Sequence, residues 1–265
     1  MSQSRDHADL AGHADPDTPK TVLITGASSG IGKALALNYA AAGRRLFLQG
    51  RNVGRLNEVA SVCTEAGADV HTKMLDVTDR AAMAAWIEAA DRRSCLDLVI
   101  ANAGVSGRSS NDPDPVRTMF RVNVEGVLNT VEPVLPALLG RGCGHIALVS
   151  SLAGFRGMPT APGYTASKAA VRTYGEGLRG KLMGQGIAVS VICPGFVKTS
   201  MTDANPFPMP LMMTPERAAS IIRRGLDRRA ARIAFPFRLY LAMRLVAALP
   251  PAWVDPLLQR FQGKE

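Results

Sequence analysis

The stretch TVLITGASSGIGKALALNYAAAG, residues 21–43, decides the fold. Thr21 to Thr25 is a short apolar run with β-branched residues, which predicts a buried strand. The turn Thr25-Gly26-Ala27-Ser28-Ser29-Gly30-Ile31-Gly32 follows, then a helix predicted from Gly32 to Ala42 and stopped by Gly43. Strand, glycine turn and helix in that order suit a phosphate-bearing ligand. Gly26 permits the sharp turn, Gly30 lets backbone approach a pyrophosphate, and Gly32 lets the helix pack closely on the sheet. The helix beginning near Ile31, with Ser28 and Ser29 just before it, points free N–H groups and a positive dipole end at the phosphates. The spacing differs from G-x-G-x-x-G, so the general dinucleotide fingerprint fits poorly.

Working outward, short apolar runs alternate with longer helical patterns. Strands are predicted at Arg45 to Gln49, Asp69 to Leu75, Leu96 to Ala101, His145 to Ser150, Ala188 to Cys193 and Ala231 to Phe235. Helices are predicted at Val53 to Glu65, Arg80 to Arg92, about Pro115 to Leu139, Gly163 to Met183 and Pro215 to Arg229. The run Leu98-Val99-Ile100-Ala101 is apolar on both faces, as a buried parallel strand must be. The pattern predicts an α/β protein: a doubly wound parallel seven-stranded sheet in a single domain. The 265 residues suffice for one large core. Ligands of such sheets bind beyond the carboxyl ends of the strands, and Thr25, Asp76, Asn102, Ser151 and Pro194 all fall at or just after those ends.

Tyr164 and Lys168 stand four residues apart on a predicted helix, so they project from one face. An ammonium beside a phenol favours the phenolate and makes the Tyr a usable acid or base. Ser151 lies thirteen residues earlier, at the end of the run Ile146-Ala147-Leu148-Val149, and Asn123 lies in a helical segment upstream. The set resembles the classical short-chain dehydrogenase/reductase family. Residues 25–32 match its T-G-x-x-x-G-x-G, Asn102-Ala103-Gly104 its N-A-G, Ser150-Ser151-Leu152-Ala153-Gly154 its serine strand, Tyr164 to Lys168 its Y-x-x-x-K, and Pro194-Gly195-Phe196-Val197-Lys198-Thr199 its P-G-x-V-x-T. Five matches in family order and spacing make a specific signal over roughly residues 20 to 200.

The resemblance implies a Rossmann fold and hydride transfer between a nicotinamide cofactor and a carbonyl or alcohol carbon. Ser151 would hold the substrate oxygen, with Ser150 set aside by the family spacing. Tyr164 would donate or remove the proton, and Lys168 would lower the Tyr164 pKa and hydrogen-bond the nicotinamide ribose. Asn123 would bind a water linking Lys168 to solvent. Thr199 and the Val197 backbone would hold the carboxamide, and Asp76-Val77 resembles the pair that contacts adenine. At the end of the second strand, Gln49-Gly50-Arg51-Asn52 carries no carboxylate for a ribose 2′-OH, and Arg51 suits a 2′-phosphate. NADP(H) is therefore favoured, with NAD(H) the alternative, although the glycine turn lacks the second basic indicator. Other readings on the same fold are a non-catalytic nucleotide-binding regulator, which would have lost Tyr or Lys, and an epimerase or dehydratase relative, for which the chain is short.

The four cysteines lack C-x-x-C spacing and read as reduced thiols, so a cytoplasmic location is expected. His7, His13, His71 and His145 offer no metal-ligand spacing, and no metal is expected. Residues 1–19 are polar, read as a disordered tail, and lack the apolar stretch of a signal peptide. The net charge of +9 is uneven: residues 215–265 carry ten Lys or Arg against four acids. No interleaved aromatics or motif make this a nucleic-acid surface. A lid is expected at about 199–215, rich in Pro and Met and suited to an apolar substrate, with Phe155 and Met158 in the same pocket. The extension at about 233–265 is too charged to span a bilayer. Packing on the protein or within a homodimer or homotetramer is expected for it, with peripheral membrane association the alternative; Pro250-Pro251 and Pro256 are read as breaking it into short pieces.

Overall fold

The computed structural model describes residues 19–107, 112–203 and 209–259. The expected N-terminal tail therefore lies outside the described residues, save its last one. Seven parallel strands run β1 Thr21–Ile24, β2 Arg45–Gly50, β3 Asp69–Met74, β4 Leu98–Ala101, β5 Gly144–Val149, β6 Ile187–Pro194 and β7 Arg232–Phe235. Their spatial order is 3-2-1-4-5-6-7. The chain moves outward from β1 through β2 to β3, crosses back to β4 beside β1, and then proceeds the other way. The reversal leaves a crevice between the carboxyl ends of β1 and β4.

Helices cover both faces. On one side lie α1 Gly30–Tyr39, α2 Val53–Glu65 and α9 Pro215–Asp227; on the other lie α3 Arg80–Arg93, the segment from α4 Pro115–Phe120 through α5 Gly126–Val131 to α6 Leu135–Arg141, and α7 Pro162–Lys181. A short α8 Ser200–Asp203 follows β6, and α10 Phe237–Ala248 with α11 Pro251–Gln259 close the described chain. Both faces of the central strands are dry: every residue of β1 and β4 is buried. Each fully buried Leu or Ile there contributes about 2 kcal/mol. Helix starts follow local chemistry. Asn52, Asp79 and Thr214 cap α2, α3 and α9 by accepting from the N–H three residues on.

Two sequence expectations need correction. The single helix expected from Pro115 to Leu139 is a chain of short segments. A π turn at Arg121–Glu125 interrupts it, and a 3-10 turn at Glu132–Val134 begins where Pro133 cannot donate a backbone hydrogen bond. Pro256 lies inside α11 and does not end it, whereas Pro250-Pro251 does separate α10 from α11.

Candidate active site

The glycine turn is built by its neighbours across the crevice. Gly26 sits at φ +66°, a left-handed conformation that glycine adopts freely, and its N–H donates to Gln49 Oε1 at 3.0 Å. Asn102 Nδ2 donates to Thr25 O at 2.9 Å and Gly26 O at 3.3 Å. Thr25 Oγ1 accepts from the N–H groups of Asn102 and Ala103 at 3.0 and 3.2 Å. A Cβ on Gly32 would lie 2.2 Å from Gly26 O and 2.5 Å from Asn102 Nδ2. Gly32 is thus required by the turn itself, not by packing on the sheet.

The start of α1 differs from those of α2, α3 and α9. Ser29 precedes it in extended conformation without a side-chain cap, whereas Asn52, Asp79 and Thr214 cap the other three. The free N–H groups and dipole end of α1 therefore fit an anionic phosphate. Further along the same cavity, Gln49 is buried, with Nε2 donating to Leu75 O. Arg51 is 63% exposed, its Nη1 3.9 Å from Asp76 Oδ2. Asp76 Oδ1 accepts from the Thr78 N–H at 2.9 Å and hydroxyl at 2.8 Å. Val77 is buried, and its carbonyl accepts from Asn129 Nδ2 at 2.9 Å. Asn52 borders the cavity, but its Oδ1 accepts from the Arg55 N–H at 2.9 Å and caps α2. Arg55 lines the cavity too, a basic residue that the motif reading passed over.

At the other end, the chain leaving β5 brings two adjacent serines to the cavity with different hydrogen-bond partners. Ser150 is buried and its hydroxyl donates to Lys168 O at 2.6 Å, so it braces α7. Ser151 faces the cavity, accepts from the Ala153 N–H at 3.1 Å and reaches Pro194 O at 3.4 Å. Tyr164 and Lys168 border the same cavity from α7. Burial raises the Tyr164 pKa above its usual value, and a hydrogen bond with Ser151 works against that rise. Burial also lowers the Lys168 pKa from 10.5 to about 8. The ammonium donates to Val149 O at 3.1 Å and stands 5.9 Å from the Tyr164 ring centroid. The expected lowering of the Tyr164 pKa by Lys168 is not what this geometry gives: desolvation dominates.

Asn123 sits inside the π turn, fully buried. Its Nδ2 donates to Val105 O and Ser167 Oγ, both at 2.9 Å, and its Oδ1 accepts from the Val105 N–H at 2.8 Å. Both amide hydrogens are occupied, so the side chain ties the 104–105 loop to α7. A Cβ on Gly104 would stand 3.1 Å from Asn123 Oδ1 and 3.2 Å from Lys168 Nζ.

Beyond β6, Pro194, Gly195, Val197 and Thr199 border the cavity beside Asn102, Ala103 and Gly104. Thr202 organises this stretch and was missed from sequence. Its Oγ1 accepts from the Thr199 N–H and lies 2.9 Å from the carbonyl oxygens of Val197 and Thr199. The spacing of Thr202 from Thr199 was the available signal, since a hydroxyl there closes a local turn. Phe155 and Met158 are not in this cavity. They line a second hollow with Pro159, Arg172 and Asp255, where Phe155 stacks edge-on with Tyr240 at 5.5 Å. Of the expected lid, residues 204–208 lie outside the described residues; Met201 and Thr202 border the cavity, and Leu211 and Met212 are exposed.

Glycine turn, Arg51, Ser151, Tyr164 and Lys168 thus share one cavity of about 1120 Å³, roomy enough for an extended dinucleotide and a small molecule. The family model for short chain dehydrogenase matches residues 20–207. An uncharacterized oxidoreductase of Myxococcus xanthus is 40% identical over 247 residues, covering 92% of this chain and 98% of its own. Among solved structures, a short-chain dehydrogenase from Sphingobium yanoikuyae in complex with NADPH aligns with TM-score 0.75 and 25% identity, over 92% of this chain and 98% of that one. One from Mycobacterium paratuberculosis bound to NAD aligns with TM-score 0.71 and 26% identity, over 81% of this chain and 94% of that one.

Proposed function

From the premise that this chain belongs to the short-chain dehydrogenase family, we propose that it is an NADP(H)-preferring oxidoreductase acting on the carbonyl or alcohol group of an apolar small substrate, with Tyr164 as acid–base. The observation that carries the reading is that Ser151, Tyr164 and Lys168 open on the same cavity as the uncapped start of α1. The bound cofactor supplies or accepts the hydride.

This chain's residues do the rest. The Ser151 hydroxyl holds the substrate oxygen, and the Tyr164 phenol, kept protonated by burial, donates its proton to that oxygen in reduction. The Lys168 ammonium, braced on Val149 O, directs its remaining donors into the cavity and offsets negative charge as the phenol loses its proton. Asn123 positions Lys168 by holding the loop that faces it.

NADP(H) is favoured over NAD(H) by two guanidiniums, Arg51 and Arg55, and by the absence of a carboxylate from Gln49 to Asn52. Similarity does not decide the cofactor, since one structural relative holds NADPH and another NAD. Met201 at the cavity and the exposed Leu211 and Met212 beyond it support an apolar cover. The free cysteines support a reducing, cytoplasmic setting.

The test is calorimetric binding of NADPH and NADH, followed by a panel of apolar carbonyl compounds assayed for NADPH loss. Tyr164→Phe should bind cofactor normally and lose turnover. Near-normal turnover in that variant would sink the mechanism, and tighter binding of NADH would sink the cofactor assignment.

A further inference from the structure

The C-terminal helices meet the protein with one face only. The inner side of α10, Leu239, Tyr240 and Met243, packs on Leu152, Val191 and Cys193. That much agrees with the expectation that this segment packs on the fold. The outer side does not: no residue of α10 is buried. Phe237, Leu241 and Leu245 recur every four residues along it, 69%, 48% and 62% exposed, and Leu249 just after α10 and Trp253 in α11 are exposed too. Scattered exposed apolar residues need no explanation, but Phe237, Leu241 and Leu245 share one outward face of a single helix.

Charge identifies what covers it. On the helical wheel, exposed Arg238 flanks the apolar stripe on one side and exposed Arg244 on the other, and α10 contains no acidic residue. In α11, Asp255 is engaged with Arg156 at 2.9 Å. A second copy docking this face on itself would oppose arginine to arginine without a carboxylate from either α10. An anionic bilayer meets both demands: acyl chains take Phe237, Leu241, Leu245 and Trp253, while the guanidiniums extend to the headgroup phosphates. No helix among the described residues is long and apolar enough to cross a membrane, so contact would be in the plane of the surface. We propose that the outer face of α10, with Trp253 of α11, is a docking surface for an anionic lipid bilayer. Docking needs no unfolding, because the inner face of α10 stays on the turn after Ser151.

The test uses the full chain with vesicles of phosphatidylcholine alone and of phosphatidylcholine with phosphatidylglycerol. Sedimentation with the anionic vesicles only, weakened by added salt, is expected, together with a blue shift of Trp253 emission that is absent in Trp253→Phe. Replacing Arg238 and Arg244 by Ala should weaken partitioning about 30-fold. The pair Leu241→Glu and Leu245→Glu, both at exposed positions, should abolish it while cofactor binding and melting temperature stay unchanged. Three results would each overturn the proposal: no sedimentation with anionic vesicles at low salt, undiminished binding by the Glu pair, or a fall in solution mass by light scattering in that pair, which would assign the face to contact between copies.

Discussion

A methyl group added at Gly32 would sit 2.2 Å from a backbone oxygen, whereas the Leu245 side chain, on the outer face of α10, is 62% exposed. The two regions are held differently. Around the glycine turn, Thr25, Gln49 and Asn102 fasten carbonyl and N–H groups across three strands, and backbone approaches backbone with no room left. The C-terminal helices lean on a few side chains and leave half their surface outside. Where backbone packs on backbone, one atom matters; where a helix is held by one face, the other is free to take a second role.

The largest expected effect breaks the turn. Gly32→Ala forces Asn102 and Gly26 apart, and a loss above about 3 kcal/mol in denaturant unfolding is expected. A variant that unfolds with the wild type would show that the turn has slack. Next comes Lys168, at the far end of the same cavity. Its pKa falls from 10.5 to about 8, so the fold disfavours the charged form. That cost is fully present below pH 8, fades as pH rises from about 8 to 10.5, and is absent above. Lys168→Met should therefore be inactive yet more stable near pH 7, by on the order of 3 kcal/mol, with the gain vanishing in alkali. Equal stability of the two proteins at pH 7 and pH 10 would refute it. Reduction by the wild type should correspondingly decline as pH rises through about 8, where the ammonium is lost.

A smaller effect is expected where the cavity opens to solvent. Arg51→Asp removes a charge-assisted contact and should weaken NADPH binding roughly tenfold to a hundredfold, with NADH little changed. If NADPH binds the variant as well as the wild type, Arg55 or another group carries the 2′-phosphate. The smallest effect belongs to α10: Leu245→Ser should change folding stability by less than about 0.5 kcal/mol. A larger loss would mean that the outer face is covered in solution.

The seven strands, the parallel sheet and the cavity that Ser151, Tyr164, Lys168 and the glycine turn share were legible in the chain, because apolar runs, glycines and fixed spacings are local signals, whereas the spatial order of the strands was not. Tertiary contacts decided the rest. Ser150 and Ser151 are chemically identical neighbours, and only the packing of the chain after β5 against α7 and β6 commits the first hydroxyl to Lys168 O and leaves the second near Pro194 O at the cavity. Asn123 was found by resemblance, yet the π turn and its bonds to Val105 and Ser167 arise from packing between distant segments. Phe155 was assigned to the wrong pocket because nothing near it in sequence announces Tyr240. Burial raises the Tyr164 pKa where a neighbouring ammonium alone would lower it, and burial is a property of everything packed around a group. Sequence thus determined which residues line the strand ends, through periodicity and spacing carried by the chain itself. What each of them touches depended on desolvation and long-range packing, which exist only once the chain has folded.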